Sequence, residues 1–187
     1  MKDEKSDIII IRGVSGSGKS ETAKCLSRYF PKGVLLEVDT IRKMVISVDW
    51  GNKEEHFKML QISAGLTYDF IRFGFNPVIL IDTFRVYAIN EYAENFYRID
   101  KKLSIKVFGL FTTENELRNR LDVRKKGEPY NFEFYKRLND KVVGIKYDGE
   151  YQIDTTGLLP ELTAEIIYKQ LTQNGLQSNN SDISSVS

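Results

Sequence analysis

A run of residues near the amino end combines glycine, lysine and serine at the spacing of a phosphate-binding loop. It reads Gly13-Val14-Ser15-Gly16-Ser17-Gly18-Lys19-Ser20 and fits G-x-x-x-x-G-K-[ST] at every fixed position. The glycines let the backbone curl so that its N–H groups point at phosphate oxygens, and the following helix turns its positive end toward the same anion. Lys19 can reach the β- and γ-phosphates, and the Ser20 hydroxyl can ligate Mg²⁺. The run therefore predicts binding of a nucleoside triphosphate.

The elements around this loop alternate between short apolar runs and helical segments. Such alternation predicts an α/β fold with a doubly wound parallel sheet, whose ligands bind at the carboxyl ends of the strands. A strand before residues 13–20 and a helix after them favour a phosphate loop over an ordinary glycine-rich turn. The predicted strands are residues 8–11, 34–38, 78–81, 105–111 and 151–154. The predicted helices are residues 20–30, 40–47, 53–73, 88–101, 113–126, 131–143 and 160–171, the fifth opened by a capping box of Thr113 and Glu116.

The loop and its setting resemble those of the P-loop kinases and NTPases, over roughly residues 8–172. The resemblance implies a three-layer P-loop NTPase fold: a five-stranded parallel sheet, helices on both faces and a helical lid. It also implies ATP and Mg²⁺ as cofactors, with residues 13–20 as the cofactor-binding loop and Lys19 as a catalytic residue. The GTPase motif N-K-x-D is absent, because Asn52-Lys53-Glu54-Glu55 departs from it at the last position, which favours ATP.

Two aspartates follow predicted strands. Residues 77–82 form an apolar run that ends in Asp82 and looks like a Walker B motif, and this resemblance implies that Asp82 and Ser20 hold Mg²⁺. The D-x-x-R pair of Asp39 and Arg42 resembles that of polynucleotide 5′-kinases and, more loosely, of adenylylsulfate and gluconate kinases. It implies that Asp39 accepts the proton of the acceptor hydroxyl and that Arg42 binds an anionic group of the acceptor. The alternative for Asp82 is that it caps the next turn, and the alternative for Asp39 is that it caps a helix. Which of the two aspartates is the base and which is the metal ligand stays open.

Arginines and a small loop are candidates for contacts with ATP. Arg120 and Arg124 share one helical face in the basic segment 118–126, which resembles the R-x-x-x-R lid of the family. The resemblance implies that they close over ATP and stabilise the transferred phosphoryl group, the alternative being a solvated helix end. Thr155 and Gly157 follow the last predicted strand, where related kinases pass near the adenine.

The acceptor region is expected between the second and third strands, at residues 43–70. Its notable side chains are Trp50, His56 and Tyr68. His56 is interpreted as a residue of a solvated helix face rather than as a ligand of the acceptor. Arg85 repeats the acid-then-arginine spacing after the third strand and is a candidate acceptor contact.

Composition limits the class of protein. The chain has 187 residues, with 27 Lys+Arg against 26 Asp+Glu, and is 41% hydrophobic. These values suit a single domain, residues 1–173, followed by a Ser/Asn-rich tail of residues 174–187 that is expected to be disordered. A net charge of +1 gives no global basic field, which weakens a duplex-DNA-binding interpretation. One cysteine excludes an internal disulfide, and the lack of a targeting or membrane segment makes the cytoplasm the expected compartment.

Together these patterns predict an ATP-dependent phosphotransferase that moves the γ-phosphoryl group to a hydroxyl acceptor. The near-neutral charge and short length favour a small molecule. A nucleic-acid 5′ end is the first alternative, supported by the D-x-x-R pair. A module that binds or hydrolyses ATP as a switch, without transfer, is the second. No membrane partner is expected, and the oligomeric state is left open.

Overall fold

Five strands form one sheet at the centre of the molecule. The computed structural model describes residues 6–83 and 88–181. Its strands are β1 (Ile8–Gly13), β2 (Val34–Glu37), β3 (Val78–Asp82), β4 (Ile105–Phe111) and β5 (Tyr151–Asp154). They pair in parallel in the order β2-β3-β1-β4-β5. Because β1 is central, the loop that follows it opens at the middle of the carboxyl edge, between the ends of β3 and β4.

Helices cover both faces of this sheet. They are α1 (Lys19–Ser27), α2 (Val38–Arg42), α3 (Lys53–Arg72), α4 (Ala88–Ile99), α5 (Glu114–Lys125), α6 (Phe132–Gly144) and α7 (Pro160–Ser181). Ile8 and Ile10 pack with residues of α3 and α4, whereas Ile9 and Ile11 pack with residues of α1 and α7. A strand buried on both faces has a continuous apolar sequence, as residues 8–11 do. The predicted α/β fold with a five-stranded parallel sheet and helices on both faces is confirmed.

A smaller apolar cluster joins the phosphate loop to α5 and α6. Val14 is fully buried and packs with Leu117 and Leu121 of α5 and with Phe132 of α6. The helix predicted to form the lid therefore lies directly beside residues 13–20.

The second helix starts earlier than the sequence predicts. α2 begins at Val38, directly after β2, and ends at Arg42. Asp39 consequently lies in the first turn of a helix. The backbone that carries it is thus fixed by both β2 and α2.

The predicted capping box at the start of α5 is wrong. Thr113 precedes the helix, but its hydroxyl makes no capping hydrogen bond. Its N–H instead donates to Thr156 Oγ1 at 2.9 Å, and Glu116 pairs with Arg120 Nε at 2.7 Å. A guanidinium one turn along the helix is a stronger partner for the Glu116 carboxylate than a backbone N–H is.

The last helix is longer than predicted. α7 extends to Ser181, so residues 174–181, expected in a disordered tail, are helical. Residues 182–187 lie outside the described part of the chain, and the domain boundary at residue 173 stays a prediction. Over the described residues, no helix combines the length and apolar character needed to cross a membrane.

Candidate active site

The phosphate loop fills the turn between β1 and α1. Gly13 is the last residue of β1, and Gly18 is the N-cap of α1 with a φ of 89°. Gly16 has a φ of 94°, and a Cβ at this position would lie 3.0 Å from Leu117 Cδ1. Because a left-handed backbone is strained for other residues, both positions need glycine. The first N–H groups of α1 have no partner within the helix and can bind an anion.

Lys19 lies within a cluster of charges. Burial lowers the pKa of its amino group, and the positive charge of Arg124 adds to this lowering, while Asp82 and Asp39 act in the opposite direction. The strand register places Asp82 beside the start of the phosphate loop, since Arg12, the residue before that loop, lies level with Asp82 on β3. Titratable groups that perturb one another are typical of functional sites.

Asp82 is buried at the end of β3, with only 6% of its surface exposed. Its Oδ1 accepts the N–H of Thr83 at 2.6 Å. Its Oδ2 accepts no hydrogen bond from the described residues, although His56 Nε2 lies 3.1 Å away. Because a buried carboxylate oxygen without a bond is costly, this oxygen is well suited to meet a cation.

The available donors fit Mg²⁺ held together with a nucleotide. Mg²⁺ is usually bound by one or two protein groups, with phosphate oxygens and water completing the shell. Asp82 Oδ2 and the hydroxyl of Ser20, in the first turn of α1, are groups of this kind. Over the described residues, no group of three or more His, Cys, Asp and Glu side chains forms a metal cage of its own.

Asp39 lies in the first turn of α2 and is exposed to solvent. The partial removal of its carboxyl group from water and the negative charge of Asp82 raise its pKa, while the charges of Lys19 and of protonated His56 lower it. Asp82 and Asp39 thus occupy different environments, since one is buried and the other is exposed.

Arg42 is buried beneath the connection between α2 and α3. Its spacing from Asp39 predicts instead an arginine that is free to bind the acceptor. Its Nε lies 3.3 Å from Glu55 Oε1, and its Nη2 donates to the carbonyl oxygens of Asp49 and Asn52. The guanidinium carbon lies 4.8 Å from the ring centre of Trp50. Protein groups thus surround this guanidinium and fix it in place.

Arg120 joins the lid helix to the phosphate loop and to the end of β5. Besides its pairing with Glu116, its Nη1 lies 3.4 Å from the Gly16 oxygen and 3.1 Å from Thr155 Oγ1. Its Nη2 donates to the Thr155 carbonyl at 2.7 Å. Arg124, one turn further along α5, is exposed to solvent. The two predicted lid arginines therefore have different surroundings.

The loop after β5 meets the phosphate loop through Thr155. This residue is buried, and its hydroxyl lies 3.0 Å from the Phe111 oxygen and 3.1 Å from the Ser17 oxygen. Gly157 has a φ of 68°, and a Cβ there would meet no atom within 4 Å. Arg85 lies outside the described residues, so its contact with an acceptor stays a prediction.

Known proteins match this chain in structure. No family model and no curated protein matches it in sequence. The tunicamycin resistance protein of Deinococcus radiodurans is 22% identical with a TM-score of 0.67, covering 89% of this chain and 96% of its own. Shikimate kinase from Acinetobacter baumannii, solved with shikimate, is 13% identical with a TM-score of 0.65, covering 91% and 96%. A chain of the Pnkp1/Rnl/Hen1 RNA repair complex is 16% identical with a TM-score of 0.63, covering 75% and 45%. The chain has the P-loop kinase fold.

Within this P-loop kinase fold, Lys19, Asp39, Asp82 and Arg124 are close enough for their charges to interact. His56 belongs with them, although the sequence analysis places it on a solvated helix face. It is partly buried on the first turns of α3 and faces Asp82. Its position three residues into a predicted helix carries no signal that distinguishes it from a surface histidine.

Proposed function

We propose that this protein transfers the γ-phosphoryl group of ATP to a hydroxyl group of a small molecule. The observation that carries the proposal is the cluster of Lys19 with two carboxylates in different environments, the buried Asp82 and the exposed Asp39. Structural likeness to kinases supports the class of reaction.

The phosphate loop is assigned to the triphosphate. The N–H groups of residues 13–20 and the Lys19 amino group bind its oxygens, and the glycine φ values of the loop suit this role. Ser20 and the available Oδ2 of Asp82 hold Mg²⁺. When bound, the metal neutralises negative charge on the β- and γ-phosphates.

The lid helix and the loop after β5 are assigned to the rest of the nucleotide. Arg120, Thr155 and Gly157 form the wall on this side, supported by the bonds between Arg120 and Thr155. Arg124 is exposed and its charge reaches Lys19, so it is assigned to the charge that develops on the transferred group.

Asp39 is assigned as the general base. The acceptor oxygen attacks the γ-phosphorus, the bond from that phosphorus to the β,γ-bridging oxygen breaks, and ADP leaves. The hydroxyl proton passes to the Asp39 carboxylate, and solvent removes it afterwards. The raised pKa of Asp39 brings its basicity closer to neutral pH, and its exposure leaves it open to an acceptor.

The acceptor side favours a small molecule with apolar surface. Met44, Ile46 and Trp50 follow α2 and are 73%, 104% and 50% exposed, respectively. Exposed apolar side chains that lie together are typical of sites that bind organic ligands, and these three follow Asp39 closely in the chain. Arg42 is held by protein groups under this connection, so we assign it to supporting the connection rather than to an anionic group of the acceptor.

The test is transfer of labelled γ-phosphate from Mg·ATP to a panel of metabolite alcohols, nucleosides and a 5′-hydroxyl oligonucleotide. We expect label on a small molecule, lost in Asp39→Asn with ATP binding retained. Thermal stabilisation by Mg·ATP reports the binding.

Two outcomes would contradict the proposal. Label on the oligonucleotide would establish a polynucleotide 5′-hydroxyl kinase. ATP hydrolysis that continues unchanged in Asp39→Asn, with no labelled acceptor, would instead support a switch.

A further inference from the structure

We infer that His56 is a positioning residue for Asp82 and that Arg42 selects the tautomer in which the His56 proton lies on Nε2. The role of Asp82 in holding Mg²⁺ rests on the proposed function. The contacts of His56 with Asp82 and Arg42 are independent of the proposed function.

His56 lies between a buried cation and a buried anion. Its Nε2 is 3.1 Å from Asp82 Oδ2, and its Nδ1 is 3.5 Å from Arg42 Nη1. The side chains of Asp82 and Arg42 are 5% and 6% exposed, against 25% for His56. The ring therefore connects two groups that water reaches poorly.

The chemistry of the two neighbours determines where the ring proton lies. A guanidinium has only donors, so the nitrogen that faces Arg42 must accept. The neutral imidazole then carries its proton on the other nitrogen, Nε2, which faces a carboxylate oxygen. A ring protonated on Nδ1 would direct an N–H group at the N–H groups of Arg42.

Arg42 can select the tautomer because its own position is fixed. Glu55, Asp49 and Asn52 bind its guanidinium, and the ring of Trp50 covers it. These residues belong to the connection between α2 and α3 and to the first turn of α3.

The ring is placed where a hydrogen bond from Nε2 would restrict Asp82. Its Oδ1 is held by the Thr83 N–H, so a donor on Oδ2 fixes both ends of the carboxylate. Nε2 is at hydrogen-bonding distance but outside hydrogen-bonding geometry. Catalytic hydrogen bonds are often poorly aligned before substrate binds. Partners that orient a metal ligand typically contribute tenfold or more to affinity for the metal.

The chain has one histidine and one tryptophan, which makes the test direct. Long-range ¹H–¹⁵N spectra of tag-free protein, at a pH of about 8 where histidine is ordinarily neutral, report which nitrogen of His56 carries the proton. We expect a single ring protonated on Nε2, with resonances that shift when Mg²⁺ and a non-hydrolysable ATP analogue are added. A ring protonated on Nδ1, or resonances unchanged by the magnesium complex, would overturn the inference.

Variants test the positioning role apart from the tautomer. His56→Ala should raise the Mg²⁺ concentration needed for nucleotide binding about tenfold. His56→Gln, which keeps an N–H donor, should recover much of this loss. Lys58→Ala, at an exposed site on the same helix, is the matched control.

Trp50 fluorescence checks that the α2–α3 connection stays folded in His56→Ala. Unchanged magnesium dependence in a folded His56→Ala would refute the positioning role. A protein with the Nε2 tautomer and tenfold loss in His56→Ala, but without phosphoryl transfer, would refute the proposed function and leave this inference standing.

Discussion

The substitution Gly109→Ala should be strongly destabilising, although Gly109 lies in a strand and has no unusual backbone angle. A Cβ on Gly109 would lie 2.0 Å from Glu150 Oε1 and 3.3 Å from Val142 Cγ1. Glu150 Oε1 binds Arg12 Nε at 2.8 Å, and both side chains are almost completely buried. Arg12 also donates to the carbonyl oxygens of Val142 and Ile145. The methyl group therefore displaces the carboxylate from its buried partner.

The expected loss in the free energy of unfolding follows from the burial of the Arg12–Glu150 ion pair. Separating a buried ion pair typically costs at least about 3 kcal/mol, because one charge is left without compensation. For a chain of this length, that loss lowers the melting temperature by roughly 6–12 °C. Since Arg12 is the residue before the phosphate loop, ATP binding should weaken as well.

Urea denaturation followed by Trp50 fluorescence measures the free energy of unfolding. Gly65→Ala is the matched control, because Gly65 is exposed in the middle of α3 and a Cβ there meets nothing within 4 Å. It should stabilise the protein by up to about 1 kcal/mol. In a Glu150→Ala background, Gly109→Ala should cost less than about 1 kcal/mol, because no carboxylate is left to displace. If Gly109→Ala lowers the free energy of unfolding equally in the wild type and in Glu150→Ala, displacement of the Glu150 carboxylate is not the cause.

Three further predictions concern the charges of the site. Lys19→Met should abolish thermal stabilisation by Mg·ATP without lowering the melting temperature of the free protein, because burial already disfavours the Lys19 cation; a fall of several degrees would contradict this. In the wild type, transfer should decline as the pH falls through the raised pKa of Asp39, and Asp39→Asn should have little activity at any pH. Because the pKa of Asp39 is higher in the folded protein than in the unfolded chain, the Asp39 site stabilises the fold below the unfolded pKa, and this stabilisation is lost as the pH rises through the folded pKa. Asparagine stays neutral at every pH, so Asp39→Asn should unfold at a higher temperature than the wild type at neutral pH. Arg124→Ala should slow transfer at unchanged stability, whereas Arg120→Ala should also destabilise, because Arg120 ties α5 to the phosphate loop; equal melting temperatures of the two variants would contradict this assignment.

The features predictable from the sequence are those set by local spacing. Residues 13–20 need glycine for their backbone angles, and residues 8–11 need apolar side chains because both faces of β1 are covered. Both requirements act on consecutive residues, so they leave a pattern in the chain. The sheet, the phosphate loop and Asp82 at a strand end were predictable for this reason.

The features that escaped prediction depend on which partner a side chain selects, and local spacing does not determine that choice. Arg42 follows Asp39 at the expected spacing, and its long side chain contacts Asp49, Glu55 and His56. The spacing determines where the backbone of Arg42 lies and leaves the direction of its guanidinium open. The capping box is wrong because Arg120, one turn along the same helix, pairs with Glu116, and Thr156 accepts the N–H of Thr113.

Three arginines of the described residues that are held by protein groups differ from Arg124 in what they can offer a phosphate. Arg12, Arg42 and Arg120 each donate to backbone carbonyl oxygens and to a carboxylate, so their charges are already compensated. A compensated, immobile guanidinium orients its surroundings but adds little new attraction for phosphate. Arg124 is exposed, and its charge still reaches Lys19. Arg124 and Lys19 repel each other, Asp82 and Asp39 oppose this effect on Lys19, and a bound triphosphate would attract both cations.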